Sequence, residues 1–195
     1  RRYAHFSDLA ERVAAALWPG PLSLVLPRTK DCPLSKLVSA GLDTVAIRVP
    51  ASAPARRLLV AARVPVAGPS ANKSGQLSPT EARHVAGGFG DEVALVLDGG
   101  ACVVGLESTV LDLSTETPTL LRAGGVTHEA LEEVISAPVA VAGVDDTAPK
   151  SPGMMSRHYA PRTPLRMNAS EVKRGEALLG FGGSKGAVED LSPAG

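Results

Sequence analysis

Apolar residues recur at helical spacing at the start of the chain: Leu9, Val13, Ala16 and Leu17 share one face, and Ser7 stands where a cap belongs. Trp18-Pro19-Gly20-Pro21 ends that helix, and the run 22–26 reads as a buried strand. Residues 33–40 suit a short helix stopped by Gly41, and 44–49 a second strand ended by Pro50. A helix over 54–63 carries Pro54 in its first turn, and a short strand at 65–68 runs into the loop PSANKSG. Ser78-Pro79-Thr80-Glu81 is a capping box for a helix that Gly87-Gly88 would end. Strands follow at 93–97, 107–113 and 119–122, and a helix at 127–135. Short strands alternating with helices predict an α/β (α+β) fold, a mixed twisted sheet with helices packed on it.

Beyond residue 135 the periodicity fades. Residues 136–150 collect Ala, Pro, Gly and Asp, as a linker would. The following SPGMMSRHYAPRTP has no apolar period but is rich in Arg, His and Tyr, groups able to reach into a site. A strand-like EALLGF at 176–181 starts a new element, and about thirty residues bury too little surface to close a core alone. The expected organisation is a domain over 1–136, a linker over 137–164, and the beginning of a second domain over 165–195.

Composition narrows the function classes. At 195 residues, 44% hydrophobic and 21% charged, this is an ordinary globular chain. Six aromatic residues are too few for a base-stacking platform. Two cysteines seventy positions apart and four scattered histidines match no disulfide framework or metal knuckle. No apolar run approaches the ~20 residues that span a bilayer, so the expected location is the cytoplasm. The chain begins at Arg1-Arg2 without Met, as a fragment would.

Net charge is zero but segregated. Residues 1–84 carry a balance of +7, and residues 85–149 set the single cation Arg122 against eleven acids, a balance of −10. Arg48 interrupts an apolar strand, where a guanidinium needs a carboxylate or an anionic ligand. Arg122 closes the strand before Ala123-Gly124-Gly125, with a structural ion pair as the competing explanation. The loop 68–75, between a strand and a helix start, has the form of a phosphate cradle, although an ordinary turn-rich connection looks the same. Small hydroxyl residues at Ser108-Thr109 enter a strand end, and no nucleophile elbow is present.

Together WPGPLSLVLP, TVAIRVP, PVAGPSANKSGQLSPT, VLDGG, GLESTVLDL, LLRAGG and SPGMMSRHYAP resemble the YrdC-type threonylcarbamoyl-AMP synthases, in the longer form with a linker and a C-terminal domain. The resemblance runs from about Leu9 to the end. It implies that ATP, L-threonine and bicarbonate are converted to threonylcarbamoyl-adenylate and pyrophosphate, for modification of the tRNA adenosine beside the anticodon. It further implies that Arg48, Ser70 and Ser108 bind L-threonine, and that Thr44, Asn72, Thr80, Arg122, His158 and Tyr159 contact ATP. No catalytic side chain and no protein-held metal are assigned; Mg²⁺ is implied by ATP chemistry alone. A downstream tRNA-modifying transferase and direct contact with RNA are the implied partners, with no membrane.

The family's amino-terminal stretch, with its K-x-R motif for the triphosphate, has no counterpart here. The resemblance therefore implies a YrdC-like fold incomplete at the N-terminus and an isolated chain impaired as a catalyst. The alternatives are a related carbamoyl-adenylate enzyme, which the SPGM linker opposes, and a non-catalytic RNA-binding module using the basic segment 1–84.

Overall fold

The computed structural model describes residues 1–143, 163–169, 171–180 and 185–190. The chain divides into two compact units, Arg1–Ala160 and Pro161–Gly195.

The first unit is organised by a five-stranded sheet. Its strands are β1 (Leu22–Pro27), β2 (Thr44–Ile47), β3 (Thr109–Asp112), β4 (Thr119–Arg122) and β5 (Ala140–Val141), in spatial order β2-β1-β3-β4-β5. Strand β1 runs antiparallel to β2 and parallel to β3; β4 is antiparallel to β3 and parallel to β5. This is the mixed α/β sheet the alternation predicts.

One face of the sheet carries the core. Leu22, Leu24 and Leu26 alternate along β1 and are fully buried with Val45, Leu111 and Leu120. Helices α1 (Asp8–Leu17) and α4 (His128–Ile135) cover them with Ala10, Val13, Leu131 and Ile135. Burial of each such leucine stabilises the unit by about 1.5–3 kcal/mol relative to exposure. Ser7 caps α1 by accepting from Ala10 N–H at 3.2 Å, and Thr127 caps α4 through Ala130 N–H at 3.2 Å. The Arg12 guanidinium donates to the Ile135 carbonyl at the end of α4, which ties the two helices together.

Helices α2 (Ala53–Ala62) and α3 (Ala82–Phe89) lie between β2 and β3 and bury no residue fully. Three expectations fail in this stretch. Residues 65–68 and 93–97 form no strand; Val66, Leu95 and Leu97 are 53%, 79% and 62% exposed. A strand persists only with ladder partners and a covered face, and neither segment has them. The capping box is not made either: α3 begins at Ala82 with Glu81 as its cap residue and no side-chain cap bond. Ser78 is engaged elsewhere. A 3₁₀ turn at Lys36–Ser39 replaces the longer helix expected over 33–40.

In the second unit, β6 (Leu179–Gly180) pairs in parallel with β7 (Glu189–Asp190). Arg166 grips Glu176 with two nitrogens, at 3.1 and 2.5 Å.

Candidate functional site at the sheet end

Strand direction gathers the chemistry. Because β1 and β3 are parallel, Ser23 near the start of β1 and Ser108 just before β3 lie at one end of the sheet. Because β2 and β4 run the other way, Arg48 just past β2 and Arg122 at the end of β4 arrive at that same end. Continuing the β1–β2 register one step beyond Leu24–Ile47 sets Arg48 opposite Ser23, on the face turned away from the leucine core. Thr44 is at the opposite end of β2, about 13 Å away by strand rise. The structure thus brings Arg48, Ser108 and Arg122 to one sheet end and leaves Thr44 at the other.

A hydrogen-bonded chain crosses this end. Arg122 Nε and Nη2 donate to the Ser108 carbonyl at 3.0 and 2.7 Å, and Nη2 reaches Ser108 Oγ at 3.0 Å. Ser108 Oγ lies 3.0 Å from Ser23 Oγ. Arg122 Nη2 is also 3.6 Å from a Glu107 carboxylate oxygen, an ion pair whose side chains are only 13% and 26% exposed. The other Glu107 oxygen accepts a short hydrogen bond from the Ser78 hydroxyl, and Asn72 Oδ1 lies 3.3 Å from the same Ser78 Oγ. Asn72 is therefore joined to Arg122 and Ser108 through Ser78 and Glu107, with Ser23 bonded to Ser108 at the end of the chain; the sequence patterns did not single out Ser23 or Glu107 as ligands.

Backbone packing holds the arrangement in place. The Gly125 N–H donates to the Glu107 carbonyl at 2.9 Å. A Cβ on Gly124 would sit 2.3 Å from the Glu107 carbonyl oxygen and 2.5 Å from the Thr109 nitrogen, so only glycine permits this approach. Thr109, wholly buried, donates to the Val126 carbonyl at 2.6 Å and accepts from Val126 N–H at 2.9 Å. Both capacities of that hydroxyl are satisfied.

Beside the chain opens a cavity of about 280 Å³, lined by Ser70, Ser78, Thr80, Gly99, Cys102 and Glu107 among others. The Thr80 hydroxyl is 3.4 Å from His84 Nδ1, and the Thr80 carbonyl accepts from Cys102 N–H at 2.8 Å. The Asn72 amide nitrogen donates within its own loop, to the carbonyls of Lys73 and Gln76 at 3.0 Å each, and its Oδ1 faces Ser78 Oγ at 3.3 Å. Arg48 departs from expectation. It is exposed past the strand end, with no hydrogen bond or ion pair among the described residues, so it needs no structural counter-ion. His158 and Tyr159 lie outside the described residues. Among the described residues no group of three His, Cys, Asp or Glu could hold a metal. Among the described residues no helix is long and apolar enough to cross a membrane.

Arginines, hydroxyls and glycine-rich loops at strand ends define a mixed α/β domain with a polar, cationic sheet-end site. Residues 1–124 match the Sua5/YciO/YrdC family, described as "Telomere recombination", and the chain belongs to that family. Residues 126–190 match a second family, described as "Threonylcarbamoyl-AMP synthase, C-terminal domain". A Pyrococcus abyssi protein named threonylcarbamoyl-AMP synthase is 47% identical over 156 residues, covering 78% of this chain and 45% of its own. A Bacillus subtilis protein of the same name is 43% identical over 174 residues, covering 88% and 50%. The crystal structure of P. abyssi Sua5 complexed with L-threonine superposes with a TM-score of 0.76 at 44% identity, covering 83% of this chain and 48% of that one. The chain spans about half the length of these relatives.

Proposed function

We propose that the chain carries the sheet-end site of an L-threonylcarbamoyladenylate synthase. Family membership, the names of the relatives and the L-threonine bound to the P. abyssi protein support the reading. The observation that carries it is the convergence of Arg48, Ser108 and Arg122 at one sheet end, beside an open, largely apolar pocket to which Ser70, Ser78 and Thr80 contribute.

In this reaction the threonine nitrogen takes up the carbon of bicarbonate with loss of water, giving N-carboxy-threonine. A carbamate oxygen then bonds to the α-phosphorus of ATP while the bond from that phosphorus to the bridging oxygen breaks, and its electron pair leaves with pyrophosphate. Two anions must meet, so the protein's task is positioning and charge neutralisation. In this assignment Arg48, exposed and unpaired among the described residues, clamps the threonine carboxylate; Ser70 and Ser108 complete that subsite. Asn72, Thr80 and Arg122 face the nucleotide. His158 and Tyr159, from the segment 137–164, and Thr44 belong to the same assignment, with residues 165–195 opening a second domain. The ATP would arrive with Mg²⁺ on its own phosphates, and the product would pass to a tRNA-modifying transferase in the cytoplasm, with direct RNA contact at that stage.

The test is calorimetric titration of the chain with L-threonine. Arg48→Ala should weaken threonine binding by tenfold or more, since a carboxylate loses its charge-assisted hydrogen bonds, about 1.5–3 kcal/mol. Unchanged threonine affinity in that variant overturns the Arg48 assignment. Salt-dependent RNA binding by a chain that takes up neither threonine nor ATP would turn the reading to an RNA-binding module.

A further inference from the structure

Glu107 presents a puzzle on charge grounds. A carboxylate lines the same cavity as Ser70 and Thr80, in a site proposed to receive a polyphosphate, where negative charge costs affinity. Its contacts explain its presence. One carboxylate oxygen accepts from Ser78 on the loop that carries Asn72, and the other faces Arg122 at 3.6 Å. Its backbone carbonyl accepts from Gly125, and Gly124 packs against that carbonyl too closely to admit a side chain. Arg122 in turn grips Ser108 at both its carbonyl and its hydroxyl. One residue thereby joins three separate loops: 72–78, 105–108 and 122–125.

The Ser78 hydroxyl has one proton, and its two acceptors are the Glu107 carboxylate and Asn72 Oδ1. The charged acceptor forms the stronger bond, so the Ser78 proton goes to Glu107.

We propose that Glu107 is a positioning residue that sets Arg122 and the Asn72–Ser78 loop in register, so that the nucleotide side and the threonine side of the site are held together. The proposal rests on the function proposed above for what is positioned, but its core is a statement about Arg122. It concerns a side chain that acts through Arg122 and Ser78 without touching the reacting atoms.

Glu107→Gln keeps the volume and an acceptor for Ser78 while removing the negative charge that faces Arg122. Two readouts are taken on the full chain: hydrogen exchange at Arg122 Nε–H by nitrogen-15 NMR without ligand, and separate titrations with ATP and L-threonine. The expected result is an Nε–H exchange several-fold faster, ATP affinity lower by about tenfold, and a smaller loss of threonine affinity, since Arg122 also holds Ser108. Ser78→Ala should weaken ATP binding as well, and the double variant should be no worse than the weaker single, because both act through one connection. Unchanged Nε–H exchange in Glu107→Gln overturns the proposal, whatever happens to ATP. Fully additive losses in the double variant overturn it too. Faster exchange in a chain whose parent binds neither ATP nor threonine leaves the positioning role standing and removes the functional reading instead.

Discussion

Gly124 and Arg122 show how one short string can be half readable. An arginine ending a strand before two glycines suggested an anion site, with an ion pair as the rival; the structure contains the ion pair, to Glu107, and places it beside the cavity. The need for glycine at 124 comes from elsewhere in the chain, from the Glu107 carbonyl and the Thr109 nitrogen. Gly124→Ala should therefore cost about 1–3 kcal/mol through overpacking against immobile backbone. Urea unfolding read by circular dichroism checks it, and a midpoint unchanged from the parent would show that the loop yields. Ser23 was legible as a strand residue and nothing more. Its partner Ser108 is 85 positions away, and only the pairing of β1 with β3 brings the two hydroxyls to 3.0 Å.

At the scale of elements, local signals succeeded where local contacts decide. Ser7 caps α1 as its position predicts, and in the structure Ser52 and Thr127 likewise accept from the backbone N–H three residues on. Ser78 had the same credentials but caps nothing: α3 begins at Ala82, with Glu81 as its cap residue, and the Ser78 hydroxyl donates to a carboxylate 29 positions along the chain. The apolar runs 65–68 and 93–97 had strand composition but found no partner. Native-state hydrogen exchange should separate these cases. Amides in β1 and β3 should exchange slowest, while those at 65–68 and 93–97 should exchange orders of magnitude faster, since no ladder bond protects them. Comparable protection in both sets would mean that those segments pair in solution.

Across the whole molecule, neutrality is made of segregated charge, and the −10 stretch contains the Glu107 that meets its own single cation. The two units invite separate tests. In the second, the Arg166 guanidinium and the Lys173 N–H hold the Glu176 carboxyl down to about 2, against an ordinary value of 4.5. A carboxyl depressed in the folded state adds stability above its unfolded value and loses it as pH falls from about 4.5 towards 2. Carbon-13 NMR titration should give a Glu176 midpoint near 2, and Arg166→Ala should return it towards 4.5. A midpoint near 4.5 in the parent would show that the pair does not persist in water.

Sequence alone determined the elements whose stability is local or periodic: the helices α1, α2 and α4, the Ser7 cap of α1, the buried strand β1, and the motif strings that mark the family. It also supplied Arg48, Ser108 and Arg122 as candidate site residues. Tertiary structure decided which of these share a place. Strand direction set Arg48, Ser108 and Arg122 at one sheet end and Thr44 at the other, and made Glu107 the junction of three loops. Hydrogen bonds between positions 14 to 85 residues apart leave no periodic trace in the chain, because their partners are chosen by how the strands pair.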